Sequence, residues 1–82
     1  MKKSAKITLE FDRNELGNAI VYLVQTWPLG DRVVTLHGMF SEIRRAESVL
    51  RARLKTLNEQ VPTRGIVEAR ELNHSFVEQF RL

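Results

Sequence analysis

The chain contains no cysteine, which excludes both disulfide bonds and sites in which thiolates bind a metal ion. No segment approaches the ~18 consecutive apolar residues that a helix needs to cross a bilayer. Residues 1–4 resemble the charged opening of a signal peptide, but the residues after them alternate between polar and apolar and form no apolar h-region. We therefore expect a cytoplasmic protein of a reducing compartment, with no membrane partner.

Motifs for catalysis and for metal or nucleotide binding are also absent. His37 and His74 lie far apart and belong to no metal-ligand spacing such as HExxH. Asp12 and Glu15 fit a helix cap better than a catalytic carboxylate pair. No serine has a GxSxG context, and the glycines form no phosphate-binding loop. We expect a protein that is not an enzyme, with no catalytic residue, no bound metal and no cofactor.

Size and composition predict a single globular domain that spans residues 1–82. The chain is 43% hydrophobic and 28% charged, which is typical of a globular domain and not of a disordered segment. A domain of this size buries only about 60–65% of the surface of its unfolded chain, so its stability is marginal unless something adds to it. Because cysteine is absent, self-association is the common remaining source, and we expect a homodimer.

The segment 41–61 has the longest regular apolar period in the chain and predicts a helix over residues 41–60. At 100° per residue its large apolar side chains fall on one face of that helix. They are Ile43, Leu50, Leu54, Leu57 and Val61. Ser41 is the expected N-cap, with Glu42 in the first turn.

Beside that apolar face lies a row of basic side chains. Arg44, Arg51 and Lys55 fall within an arc of about 40°, and Ser48 lies on the same flank; we call these four residues the basic row. Residues 44–55 carry five basic side chains against one glutamate and net +4, although the whole chain is only +3. The positive charge is therefore local, and it predicts a surface for an anionic partner.

Upstream of this helix, the pattern predicts a strand and another helix. Residues 5–11 alternate cleanly, as in a strand with one solvated face. Asp12 begins a capping-box pattern, and the apolar residues after it predict a helix that continues to Trp27. The polar face of this helix is thin, which supports a partner or a second copy packing against it. Val21 and Tyr22 lie off its main stripe, so we expect them to contact a partner.

The segment 32–38 admits two interpretations. Its β-branched residues between glycines favour a strand, whereas three- and four-residue apolar steps would continue the next helix back to residue 32. We favour the strand. A third strand at 66–72 and a short helix from Asn73 complete an α+β domain with the order β-α-β-α-β-α, in which helices pack on a three-stranded sheet. The alternative is a helical hairpin, with a long second helix over 32–60, flanked by two strands.

These features lead to two functional hypotheses. The first is a small non-enzymatic binding protein, an inhibitor or adaptor of the kind carried by phages and mobile elements, that occupies a surface of a protein partner. Its contact residues would be Val21 and Tyr22 together with the basic row. The second is a nucleic-acid-binding regulator that uses the basic helix 41–60.

Overall fold

The computed structural model describes residues 10–73 and has four elements. These are the strand β1 (Ile20–Pro28), the strand β2 (Thr35–Phe40), the helix α1 (Ile43–Asn58) and the strand β3 (Thr63–Glu71). The strands form an antiparallel sheet with the order β2-β1-β3. The α+β class is therefore confirmed, whereas the predicted β-α-β-α-β-α order with several helices is not.

β1 is the central strand, and it is buried on both of its faces. Four successive side chains, Val21 to Val24, are buried. Tyr22 and Val24 pack with Ala46 of α1 on one side of the sheet. Val21 and Leu23 form a second cluster, to which Phe11 and Leu72 contribute. Since successive strand residues point to opposite faces, these two clusters lie on the helix side and on what we call the far face of the sheet.

The helix predicted from Asp12 to Trp27 is wrong. Its second half is β1, and its first half contains a turn in which the Asn14 side-chain oxygen accepts hydrogen bonds from the backbone N–H groups of Leu16 and Asn18, both at 3.0 Å. Gly17 has a φ of +80°, a left-handed conformation that favours glycine. Asn14, which lies between the two residues that resembled a capping box, therefore closes a loop through local side-chain hydrogen bonds.

The other predicted elements that fall among the described residues differ from the observed elements mainly in their boundaries. The strand expected at 32–38 is β2, so the alternative long helix over 32–60 is wrong. The helix predicted over 41–60 is α1, whose N-cap is Glu42 and not Ser41. The strand predicted at 66–72 is β3. The strand predicted at 5–11 falls mostly outside the described residues, and the final helix predicted after Asn73 falls wholly outside them.

α1 approaches the sheet closely because β3 has a glycine at the point of contact. A Cβ atom built on Gly65 would lie 2.5 Å from Leu50 Cδ1 and 2.9 Å from the Gln25 carbonyl oxygen. Real Cβ atoms do not come this close to neighbouring atoms, and the Gln25 oxygen belongs to the backbone of the adjacent strand. Gly65 therefore sets how near the helix can lie to β1 and β3.

We predict that Gly65→Ala lowers the free energy of unfolding by about 1–3 kcal/mol, the usual cost of overpacking. Gly65 is not among the positive-φ glycines, so backbone strain does not contribute to this cost. Urea unfolding of the wild type, Gly65→Ala, Leu50→Ala and the double variant measures it. The double variant should be more stable than the sum of the two single effects implies, because Leu50→Ala removes the nearest clashing atom. Simple additivity would contradict the proposed clash.

Candidate functional site

The basic row lies on the outward side of α1. Ala46 is fully buried against the sheet, with 0% of its surface exposed, and it marks the inward direction of the helix. At 100° per residue, all four side chains of the basic row point within about 40° of the opposite direction. Each of the four is exposed. The sequence-predicted row is therefore a contiguous solvent-facing surface.

The basic row has few interactions with the rest of the chain. Arg51 Nη2 lies 4.0 Å from Glu47 Oε2, and the two side chains are 76% and 48% exposed. Such an exposed pair contributes at most a few tenths of a kcal/mol, roughly, because water screens it. Within residues 10–73, Arg44, Ser48 and Lys55 have no side-chain hydrogen bond or ion pair. Most of the row is therefore available to an anionic partner.

Val21 and Tyr22 do not accompany the basic row. Both are 7% exposed in the central strand, and they point to opposite faces of the sheet. The expectation that they stand exposed on a helix is wrong, because that helix is a strand covered on both sides. The Tyr22 hydroxyl donates a 2.6 Å hydrogen bond to Asp12 Oδ2. This bond, together with burial and the Asp12 charge, raises the pKa of Tyr22 above its usual 10.0. Tyr22 thus joins the segment before β1 to the core.

A second exposed surface is apolar and was missed from the sequence. Met39 pairs with Leu23, while Leu36 and Ile66 pair with Gln25 from either side, so all three lie on the far face. They are between 41% and 47% exposed, and the two residues before the start of β2 are also exposed. We call the three residues on the far face the apolar patch: Leu36, Met39 and Ile66. The strand predicted at 32–38 contains Leu36, but which face of that strand is exposed depends on its pairing with β1, which the sequence does not show.

His37 occupies a bulge in β2 and lies on the helix side of the sheet. The register between β1 and β2 shifts between Val24 and Gln25, which leaves His37 as the extra residue on β2. His37 Nε2 lies 2.6 Å from the Oγ1 atom of the buried Thr26, in a hydrogen bond. Burial, and secondly the nearby positive charge of Arg53, lower the pKa of His37 below its usual 6.5. Neutral His37 therefore satisfies a buried hydroxyl.

In the described part of the chain, no group of three or more histidine, aspartate or glutamate side chains could hold a metal ion. No helix among residues 10–73 is long and apolar enough to span a membrane. Comparison of the chain with protein-family models, curated proteins and solved structures finds no match in any of the three.

We predict that the wild type loses stability as the pH falls below 6.5, relative to His37→Gln. The folded state binds the His37 proton less readily than the unfolded state does, so protonation favours unfolding. The stability that neutral His37 contributes is complete above the pKa of His37 in the unfolded state, and it is lost as the pH falls toward its lower pKa in the folded state. Urea unfolding of both proteins at pH 7.5, 6.5, 5.5 and 5.0 measures it. Parallel pH profiles for the two proteins would contradict this role, since the remaining groups titrate identically in both.

Proposed function

We propose that this protein is a small non-enzymatic binding protein, of the inhibitor or adaptor kind, that occupies a surface of a protein partner. The basic row is its contact surface. One observation carries the proposal: the row stands on the outward side of the only helix among residues 10–73, and a single long ion pair joins it to a neighbouring side chain. Charged groups held on a regular element and left unpaired are suited to selecting an oppositely charged partner.

The charges around the basic row favour a discrete acidic patch on a protein. Glu47 lies beside Arg51, while Glu42 and Glu59 cap the two ends of α1. Outside residues 44–55 and the three N-terminal lysines, the chain nets −4. A polyanion that extends beyond the row would meet these carboxylates, whereas an acidic patch of limited size would not. Arginine also pairs with carboxylates through two parallel hydrogen bonds.

The same proposal includes a homodimer, formed through β2 and the apolar patch. Among residues 10–73, β2 and β3 are the two edge strands. β3 carries Arg64, Glu68, Arg70 and Glu71, whereas β2 has no charged residue. Charged side chains protect an edge strand from pairing with another chain, so β2 is the less protected edge. Pairing of two β2 strands about a two-fold axis would cover part of the apolar patch and present two basic rows.

We predict that the wild type sediments as a dimer and that Leu36→Lys sediments as a monomer. A lysine at this half-exposed position would introduce unpaired charges into the interface of the dimer. Sedimentation equilibrium over a tenfold or greater range of protein concentration makes the measurement. Val61→Lys is the matched control, because Val61 is similarly exposed but lies outside the apolar patch. A monomeric wild type, or dissociation in the control variant, would contradict the dimer.

The second candidate function is a nucleic-acid-binding regulator that uses the same basic row. It is favoured by the composition of the row, because phosphate contacts need charge and hydrogen-bond donors, which its two arginines, its lysine and its serine supply. It lacks an aromatic platform on which bases could stack. The two candidate functions therefore share residues and differ in the partner.

We predict that Arg44→Gln/Arg51→Gln weakens binding of the protein partner about tenfold or more, as loss of central interface charges does. The matched control, Arg32→Gln/Arg64→Gln, removes the same charge from exposed positions outside the row. Cross-linking and mass spectrometry with the wild type identify the partner, and calorimetry measures its affinity for each variant. Equal losses in both double variants would mean that overall charge, and not the basic row, determines binding.

A nucleic-acid arm of the same experiment separates the two functions. Fluorescence anisotropy with labelled duplex DNA and single-stranded RNA at about 50 and 200 mM salt spans the range over which several phosphate contacts lose orders of magnitude in affinity. For the proposed protein partner, we expect no saturable binding to either probe at the lower salt. Tight binding at the lower salt that collapses at the higher salt would favour the second candidate. In that case, the slope of the logarithm of the binding constant against the logarithm of the salt concentration should be smaller by about two in Arg44→Gln/Arg51→Gln, one for each lost phosphate contact.

A further inference from the structure

A cleft of about 470 Å³ lies at the end of the sheet where β1 begins and β2 ends. Its lining is mostly apolar and comes from distant parts of the chain: Phe11, Val21, Met39, Phe40 and Leu72. The two remaining lining residues are Ser41, in the connection to α1, and Arg45, in the first turn of the helix. The basic row points elsewhere, so this cleft is separate from the surface proposed to bind the protein partner, although Met39 also belongs to the apolar patch.

The polar side chains of the cleft have no partner in the described chain. Neither Arg45 nor Ser41 makes a side-chain hydrogen bond or ion pair with any of residues 10–73. Among residues 10–73, all the other side chains that line the cleft are apolar, so none of them places a carboxylate beside Arg45. The cleft thus combines an exposed guanidinium group and a hydroxyl, neither of them paired with any of residues 10–73, with an apolar wall.

We propose that this cleft binds a small monocarboxylate with an apolar tail, such as a straight-chain fatty acid of medium length. The carboxylate pairs with the Arg45 guanidinium group through two parallel hydrogen bonds, and the Ser41 hydroxyl donates a third. The tail lies against Val21, Met39 and Leu72, where it removes apolar surface from water. Ligand pockets of this general size, apolar with a few orienting polar groups, are typical of small-molecule sites.

Charge and shape together select this ligand class. A neutral apolar molecule would cover the wall but leave the exposed Arg45 guanidinium group paired only with water, and a small inorganic anion would pair with Arg45 but leave the wall exposed. A carboxylate with an apolar tail is the ligand that satisfies both parts of the cleft.

The test is a calorimetric titration of the full chain with octanoate, with octanamide as the uncharged probe of similar shape. We expect one saturable site for octanoate and binding of octanamide that is about tenfold weaker or more. From butanoate to octanoate, each added methylene should lower Kd about fourfold while the cleft still buries it. ¹H–¹⁵N spectra should show the octanoate shifts at Val21, Met39, Ser41 and Arg45.

Variants connect the affinity to named side chains. Arg45→Gln should weaken octanoate binding about tenfold or more, and Arg45→Lys should retain part of the affinity. Arg32→Gln, an exposed arginine remote from the cleft, should leave it unchanged. Circular dichroism confirms that each variant folds. Equal affinity for octanoate and octanamide, shifts at Leu36 and Ile66 without shifts at Ser41 and Arg45, or no binding of any straight-chain acid would each overturn the proposal.

Discussion

Burial of β1 on both faces is the constraint on which the rest of the structure depends. The strand supplies the hydrogen-bonding partners of both β2 and β3, and its side chains begin both hydrophobic clusters. α1 covers one face, for which Gly65 provides the necessary close approach. Phe11 and Leu72 contribute to the cover on the far face. A polar substitution at Leu23 would therefore disturb the far-face cluster, and one at Val24 would disturb the cluster beneath α1.

The same double burial explains why β1 could not be identified from apolar periodicity. A strand covered on both faces is apolar at successive positions and reads as a continuous run, so its period does not distinguish it from a buried helix. The content of β-branched and aromatic residues in Ile20–Pro28 was the better signal, since these residues favour strands. α1 was predictable because one of its faces is solvated, which gives its sequence a clear helical period.

The candidate sites also differ in whether the sequence was sufficient to predict them. The basic row depends only on the geometry of one helix, so the sequence was sufficient to predict which of its side chains lie together. Val21 and Tyr22 were predicted as partner contacts because β1 was assigned to a helix, in which both side chains would lie off the apolar stripe. The cleft and the apolar patch were not predictable, because each joins residues that only the sheet brings together, such as Phe11 with Leu72 and Leu36 with Ile66.

The strand order also has a consequence for how the protein folds. β1 and β2 are joined by a short connection, and their pairing closes a small loop. β1 and β3 pair over a long sequence separation, with α1 in between. Loop closure costs entropy before distant contacts can offset it. The β1–β2 hairpin closes a short loop and can form early, whereas pairing of β3 with β1 closes the longer segment that contains α1 and forms later. Changes at the contact between α1 and β3 should then mainly accelerate unfolding, while changes within the hairpin should slow folding.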